Sequence, residues 1–341
     1  MARVIDPIAF RLSSENALRR RFAENIVRAV ERASAERGID LLEMEETFGL
    51  AQLIKPRLAI PVVLRLHGPF FAIGPLSAVS PASFRNRTRQ EGAGIAKADA
   101  VSAVSKDILE RTRAHYGMPL HNAVVIPNPA PVVPSQERWR LAGCDQSRIL
   151  FVGRFDRVKG GDVVIDCLRI LVRTFPNIRL WFAGPDQGFT GEDGKCWSLR
   201  EYVGHHAPET ASRVDWIGTQ TLESLGDLRR RAMVTMVASR YETFGVTAVE
   251  AMAYGCPLVA TRAGGLEEMV ADGVNGLLCP TCDPVAMAAA VTRLLTEPGL
   301  AARLGGRAGE DAASNYHPDQ IARQTAGFYQ QVLDGHHTRW A

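Results

Sequence analysis

The sequence predicts an α/β protein with two Rossmann-like parallel-sheet domains that face each other across a cleft. Strand and helix patterns alternate in two series along the 341 residues, and a proline-rich stretch at 127–136 separates the series. Strands that alternate with helices pair in parallel, and the helices cover both faces of the sheet. Proline continues neither a helix nor a central strand, so this stretch is a linker. The predicted segments are a short first domain at 1–130, a linker at 131–147, a second domain at 148–315, and a C-terminal helix and tail at 316–341.

The first domain begins with an amphipathic helix. Ser14 is its predicted N-cap and Gly38 its end. Steps of three and four residues predict one apolar face, formed by Leu18, Phe22, Ile26, Val30 and Ala33. Four strands follow, at 39–45, 61–67, 99–105 and 123–129.

The second domain contains six predicted strands with helical segments between them. The strands are at 148–154, 178–184, 213–218, 233–239, 257–261 and 276–279, and a last helix covers 318–333. Ligands of open α/β sheets bind outside the carboxyl ends of the strands. We therefore expect the functional residues in the loops that follow these strands.

Composition and motifs exclude several classes of protein. The net charge of +3 does not indicate a nucleic-acid binder. The chain has no apolar run of about 18 residues and no signal-peptide pattern, so the expected location is cytoplasmic. It also lacks a G-x-G-x-x-G after the first strand of either domain, a P-loop, a nucleophile elbow and H-E-x-x-H. The pair "CPTC" at 279–282 has no second pair at zinc spacing, so we interpret it as incidental thiols and expect no metal.

The first strand of the second domain ends in "GRFDRVKGGD". This loop supplies Gly153, which lets the backbone approach a ligand, and the cations Arg154 and Lys159. Arginine grips a phosphate in a fork and lysine acts as a point charge, so the pair suits a diphosphate. The alternative is a solvated loop, because such loops often contain both residues.

The stretch "YETFGVTAVE" at 241–250 places Glu242 before a helix and Glu250 within it. Two carboxylates at this spacing could form a catalytic pair, a metal site, a sugar clamp or ordinary surface charge. Gly245 precedes the helix, whose free N–H groups form an anion site. A phosphate there would leave Glu242 for sugar hydroxyls and Glu250 for a cis-diol. The spacing therefore fits a nucleotide sugar.

These segments, together with "RLHGP" at 65–69, resemble glycosyltransferase family four, whose members have the GT-B fold. The second domain resembles the family over nearly its whole length, including 260–278. The resemblance implies a retaining, metal-independent transferase that moves a sugar from a nucleotide-sugar donor to a saccharide, lipid-linked or other small acceptor. It implies no cofactor besides the donor substrate.

The resemblance also implies roles for single residues. Arg154 and Lys159 would bind the diphosphate and stabilise the leaving nucleotide. Glu242 would hold the donor sugar, and Glu250 the ribose. His67 would reach the donor sugar from the first domain, although it could also be a core histidine. The other implied donor contacts are Gly153, Ile217, Phe244, Gly245, Val246 and Thr247.

The first domain departs from the family pattern. Family members open with a strand and a glycine-rich loop, whereas "MARVIDPIAF" contains no glycine. We therefore expect a sheet that lacks the opening strand, with its edge covered by a partner chain, by the inner-membrane surface or by the helix that carries Arg19–Arg21. The alternative function is a nucleotide-sugar-binding protein or an incomplete transferase subunit. The arginine-rich helix could associate peripherally with an anionic membrane, or it could simply present a solvated face.

Overall fold

The computed structural model describes the backbone of residues 7–340 and the side chains of residues 15–336, in both cases without residues 78 and 192. The described chain forms two compact units. The first unit comprises the described residues up to Pro127 together with those from Ala322 onward. The second unit runs from Asn128 to Ile321.

The first unit contains one parallel sheet of four strands in the order β1-β2-β3-β4. Its elements are α1 (Pro7–Arg37), β1 (Leu42–Glu45), α2 (Ala51–Ile54), β2 (Val62–Leu66), α3 (Phe70–Ile73), α4 (Pro81–Ile95), β3 (Ala100–Ala103), α5 (Lys106–Tyr116) and β4 (Ala123–Val125). The four predicted strands are confirmed, and each is shorter than the sequence pattern suggested. All five residues of β2 are buried, as expected for a strand that has neighbours on both sides and helices on both faces.

The predicted N-cap of the first helix is wrong. Because α1 begins at Pro7, Ser14 lies inside the helix and does not cap it. Proline is tolerated in the first helical turn, and nothing between it and Ser14 breaks a helix. Within the described residues no strand precedes α1. The predicted absence of an opening strand also concerns residues 1–6, which lie outside the described part, and it stays a prediction.

The buried face of α1 only partly coincides with the predicted one. Val30 is buried and Ile26 packs against the cluster of Ala23, Val27 and Ile54, as the predicted face requires. Leu18 and Phe22, which were predicted on the same face, are 54% and 48% exposed. Spacing by three and four residues predicts that one face is apolar, but neighbouring faces of this helix satisfy the same spacing.

The second unit contains a parallel sheet of six strands in the order β12-β11-β10-β5-β6-β9. Its strands are β5 (Asp145–Val152), β6 (Arg179–Ala183), β9 (Val214–Gly218), β10 (Ala232–Val237), β11 (Leu258–Thr261) and β12 (Leu277–Cys279), and an antiparallel pair is formed by β7 (Phe189–Thr190) and β8 (Cys196–Trp197). The six predicted strands are confirmed. The β7–β8 pair was not predicted, since two-residue strands have no periodicity to detect.

Helices alternate with these strands and cover the sheet. They are α6 (Gly161–Thr174), α7 (Leu199–His206), α8 (Leu222–Arg231), α9 (Val246–Ala253), α10 (Leu266–Met269), α11 (Pro284–Thr296), α12 (Pro298–Asn315) and α13 (Pro318–Trp340). No helix over the described residues has the length and apolarity needed to cross a membrane.

The last helix belongs to both units. Helix α13 begins in the second unit, and its residues from Ala322 onward belong to the first. Phe328 is 6% exposed, Tyr329 makes a hydrogen bond with Glu43 of β1, and His336 Nε2 lies 3.0 Å from the carbonyl oxygen of Ala59. The first unit is thus completed by the C-terminal end of the described chain.

Candidate functional site

The strand order of the second unit defines one place where a ligand can bind. From β5 the chain crosses to β6 on one side, and later strands add β10, β11 and β12 on the other side. The loops that follow β5 and β10 therefore diverge at the carboxyl edge of two neighbouring strands. A crevice at such a switch point is the usual ligand site of an open parallel sheet.

The loop after β5 is organised by one carboxylate. Asp156 accepts hydrogen bonds from the Arg154 Nε at 2.6 Å and from the backbone N–H of Lys159 at 2.7 Å. Gly160 has φ of +69°, and a Cβ there would lie 2.1 Å from the carbonyl oxygen of Ala238. Only glycine therefore allows this loop to lie so close to the end of β10. The arrangement holds both predicted cations at the edge of the sheet.

The loop after β10 places Glu242 beside Lys159. Glu242 forms an ion pair with Lys159 Nζ and accepts a hydrogen bond from Ser239 Oγ at 2.9 Å. The Glu242 side chain is 11% exposed and that of Lys159 is 28% exposed. An ammonium group has three N–H donors, so this pairing leaves donors on Lys159 for an incoming anion. The structure brings these two predicted residues together.

A second ion pair locks the two loops to each other. Arg240 donates to both carboxylate oxygens of Asp162 at 2.8 and 2.7 Å, and also to the carbonyl oxygen of Arg157 at 2.8 Å. Burial disfavours the charged guanidinium, but the hydrogen bonds and charge of Asp162 outweigh that effect and raise the pKa of Arg240. Two-point pairing of this kind fixes geometry as well as charge.

The helix that follows Glu242 presents its N-terminus to the same place. Gly245 has φ of +105° and ends the loop at the start of α9. The ring of Phe244 is buried and packs edge-on against Tyr316, with 5.8 Å between ring centroids, so only its backbone can reach a ligand. Val246 is exposed, and Thr247 Oγ1 donates to the carbonyl oxygen of Val152 at the end of β5. The first N–H groups of a helix lack intrahelical partners, so this terminus favours an anion.

Glu250 lies farther along α9 and has a partner that was not predicted. Arg229, at the end of α8, is 1% exposed, and its Nη2 donates to Glu250 Oε2. The side chain of Glu250 is 19% exposed, so one edge of the carboxylate still faces outward. Arg229 stands in the run Arg229–Arg231, which resembles a solvated helix end and gave no signal of burial.

Ile217 and Gly153 occupy neighbouring strand ends. Ile217 is near the end of the edge strand β9, half-buried against the cluster of Leu150, Ala183 and Ala232, and its carbonyl oxygen accepts a hydrogen bond from Gln220. Gly153 follows β5, and its N–H donates to the carbonyl oxygen of Ala183 at 2.9 Å. Both residues present backbone at the ligand edge of the sheet.

His67 lies in the first unit, directly after β2. His67 is exposed, but nearby residues of the same chain remove part of the water around its ring. This desolvation, followed by the charge of Arg65, lowers the pKa of His67. The lowered pKa favours the neutral imidazole, in which one nitrogen can accept a hydrogen bond.

Both parts of the chain match known families of enzymes. Residues 137–311 match the glycosyl transferases group 1, and residues 2–132 match glycosyltransferase family 4.

Similar curated proteins carry glycosyltransferase names. A D-inositol 3-phosphate glycosyltransferase of Nocardiopsis dassonvillei is 35% identical over 240 residues, which are 67% of this chain and 55% of that protein. The protein of the same name from Acidothermus cellulolyticus is 34% identical over 54% of this chain and 41% of its own length. An uncharacterized glycosyltransferase of Methanocaldococcus jannaschii is 27% identical over 87% of this chain and 77% of its own. The match thus spans about half the length of the first two relatives.

Solved structures show the same fold. A sucrose-phosphate synthase from Thermosynechococcus elongatus aligns with a TM-score of 0.73 and 24% identity, over 93% of this chain and 79% of its own. HepE of Anabaena, solved in complex with UDP-glucose, aligns with a TM-score of 0.70 and 21% identity, over 89% of this chain and 81% of its own. The predicted GT-B class is confirmed by these similarities.

Proposed function

This chain belongs to the glycosyl transferases group 1 family, and from that premise we propose that it transfers a sugar from a nucleotide diphosphate donor to a saccharide, lipid or other small acceptor. We include in the proposal that the anomeric configuration of the sugar is retained and that no metal ion is needed. The observation that carries it is the pairing of Lys159 with Glu242 at the switch point, beside the N-terminus of α9.

This arrangement supports distinct roles for its charges. Lys159 and Arg154 bind the diphosphate, and they stabilise the negative charge that the nucleotide gains as the bond to the sugar breaks. Glu242 accepts hydrogen bonds from sugar hydroxyls, and the ion pair with Lys159 holds that carboxylate in place. Glu250 accepts hydrogen bonds from the ribose, and the buried guanidinium of Arg229 orients the Glu250 carboxylate by donating to Oε2. The base contacts backbone near Ile217.

The identity of the donor is tested first with uridine nucleotides, because HepE was solved with UDP-glucose. Purified protein is titrated with UDP-, GDP- and ADP-sugars by calorimetry, with a chelator present. Transfer is then followed with saccharide and lipid acceptors, and the product anomer is assigned by NMR. We expect binding of one nucleotide class, transfer with retention and no effect of the chelator.

The outcomes separate the parts of the proposal. An inverted product would contradict retention, and loss of turnover on chelation would contradict metal independence. Donor binding without transfer to any acceptor would support a nucleotide-sugar-binding protein or an incomplete subunit instead. Lys159→Ala should lower kcat at least about 100-fold, a loss of roughly 3 kcal/mol of transition-state stabilisation. Lys195→Ala, an exposed lysine of the same unit, is the matched control and should change kcat by less than about twofold.

We further propose that the first unit docks on an anionic membrane through α1. Leu18 and Phe22 project from this helix into solvent, and exposed Arg21 and Arg28 flank them. Apolar side chains beside arginines suit the interface of anionic lipids. Flotation should show binding to phosphatidylglycerol vesicles, weaker binding to phosphatidylcholine, and loss of both in the variant Leu18→Ser/Phe22→Ser. Equal flotation of parent and variant would leave α1 as a solvated helix.

A further inference from the structure

Two buried carboxyl groups lie beneath the turn that carries His67. Glu46 follows β1 and Glu91 lies on α4, and they are 3% and 4% exposed. A carboxylate removed from water is costly unless hydrogen-bond donors surround it. The donors that surround these two groups indicate what the carboxylates hold in place.

The donors are the backbone amides of the turn itself. The N–H of His67 donates to Glu46 Oε2 at 3.0 Å, and the N–H of Gly68 donates to Glu46 Oε1 at 2.8 Å. The N–H of Phe70 donates to Glu91 Oε2 at 2.7 Å. Residue 69 is proline and has no N–H. Each backbone N–H between residues 67 and 70 is therefore bound by one of the two carboxylates.

Close backbone packing holds the carboxylates in place. A Cβ on Gly49, three residues after Glu46, would lie 1.8 Å from the carbonyl oxygen of Gln90, which precedes Glu91. A Cβ on Gly94 would lie 2.8 Å from the Gly49 Cα. The segment after β1 and helix α4 therefore touch through their backbones, which leaves little freedom for either carboxylate to move.

We propose that Glu46 and Glu91 are positioning residues that hold the His67 turn, and with it the His67 imidazole, in the geometry that sugar transfer requires. This inference rests on the proposed function, together with the role that the family resemblance implies for His67, which is to reach the donor sugar. Small displacements of a group at a reacting centre reduce rates strongly. Glu46 contacts the backbone of the turn and acts on the reaction only through His67. Its substitution should therefore change the turnover rate more than the affinity for substrate.

The same substitution should affect the two carboxylates differently. In Glu46→Gln one of the two bonded oxygens becomes an NH₂ group, which cannot accept from an amide, so one N–H of the turn loses its partner. In Glu91→Gln the remaining oxygen can still accept from Phe70. Glu46→Gln should therefore lower kcat about 10- to 100-fold with KM for the donor within about threefold, because a turn that has lost one hydrogen bond no longer fixes the His67 imidazole. Glu91→Gln should lose less.

A comparison of kcat in single and double variants with His67→Ala distinguishes a positioning role of Glu46 from general structural damage. If Glu46 acts through His67, then Glu46→Gln should reduce kcat in the parent but by less than about threefold in a His67→Ala background. Glu45→Gln is the control, because Glu45 is exposed, precedes Glu46 and also lies near His67, but no backbone amide of the turn donates to it. Equal losses from Glu46→Gln in both backgrounds would overturn the proposal.

Amide hydrogen exchange tests the inference without any turnover. In the folded parent the amides of His67, Gly68 and Phe70 should be protected, and Glu46→Gln should speed exchange at residue 67 or 68 at least about tenfold while Phe70 stays protected. Unprotected amides in the folded parent would overturn the inference, even if Glu46→Gln does not fold. A parent that shows this protection but no transfer would contradict the proposed function alone.

Discussion

Arg229 is nearly inaccessible to solvent, and the ion pair with Glu250 compensates its charge. Removing one member of a buried pair leaves the other uncompensated, whereas replacing both with apolar groups is often tolerated. Glu250 therefore has two separable roles. It compensates the buried charge of Arg229, and in the proposed function it presents a carboxylate oxygen to the ligand.

We predict that Glu250→Leu destabilises the protein by about 2–4 kcal/mol and also weakens donor binding. The double variant Arg229→Leu/Glu250→Leu should recover most of the stability without recovering donor affinity. Urea unfolding measures stability, and calorimetry measures affinity. The assignment of both roles to Glu250 is wrong if the double variant binds donor like the parent, or if Glu250→Leu is as stable as the parent.

Glu91 makes the stability of the first unit depend on pH. Burial, and then the nearby charge of Glu46, raise the pKa of Glu91 from 4.5 to about 8, while the Phe70 amide and Arg87 act in the opposite direction. Tyr116 on α5 also faces these two carboxylates. Between pH 4.5, where Glu91 ionises in the unfolded chain, and about 8, where it ionises in the folded protein, only the folded state keeps the Glu91 proton. The free energy of unfolding must therefore fall as pH rises through that window.

We predict that Glu91→Gln, which cannot ionise, gains stability relative to the parent between pH 5 and pH 8 by on the order of 3 kcal/mol. Urea unfolding at four pH values measures the difference. Glu36→Gln removes an exposed carboxylate from α1 and should follow the parent throughout. Parallel curves for parent and Glu91→Gln would show that Glu91 ionises as readily in the folded state as in the unfolded chain.

At the scale of elements, the contact between the loop after β5 and the end of β10 depends on Gly160. A methyl group there would meet a backbone carbonyl and would also require a φ that L-residues avoid. We predict that Gly160→Ala destabilises the second unit by about 2–4 kcal/mol and lowers nucleotide affinity, since Lys159 shifts with the loop. Gly204→Ala is the control, because Gly204 lies in α7 with open space around its Cα and should be neutral or slightly stabilising.

The strands that the sequence predicted are those that appear as short apolar runs. All ten predicted strands are present, and the central ones, such as β2 and β10, are buried along their whole length, as expected for parallel strands covered by helices. The face of α1 was predicted correctly at Ile26 and Val30 but wrongly at Leu18 and Phe22, because those two residues fit a helical stripe as well as Ala23 and Val27 do. The β7–β8 pair could not be predicted, since nothing periodic marks it.

At the scale of the whole molecule, the proposed function assigns nucleotide binding to the second unit, whereas His67 lies in the first. We therefore predict that His67→Ala leaves nucleotide diphosphate affinity within about twofold of the parent and lowers transfer at least about tenfold. Lys159→Ala should reduce both. Calorimetry with the nucleotide diphosphate and initial transfer rates test this division. It fails if His67→Ala weakens nucleotide binding as much as Lys159→Ala does.

Motif spacing located the charged groups of the site but not the side chains that orient them. Lys159 and Glu242 were predicted for the same ligand, and they lie in contact. Asp156, Ser239 and Arg229, which hold those groups, are common residue types at unremarkable positions. Asp156 and Ser239 act on residues two or three positions away in their own loops, through loop conformations that have no periodic pattern. Arg229 contacts Glu250 from another helix, and a single sequence does not encode such a contact as a local pattern.

The division of α13 between the two units has a consequence for synthesis on the ribosome. The first unit needs Phe328 and Tyr329 to cover its sheet, but these residues are translated only after the entire second unit. Domains generally fold in the order in which they emerge. Here the segment made first lacks the last part of α13, and with it the cover of an apolar surface, until the segment made second has been translated. The nascent first unit is therefore the stage at which chaperones would engage this chain.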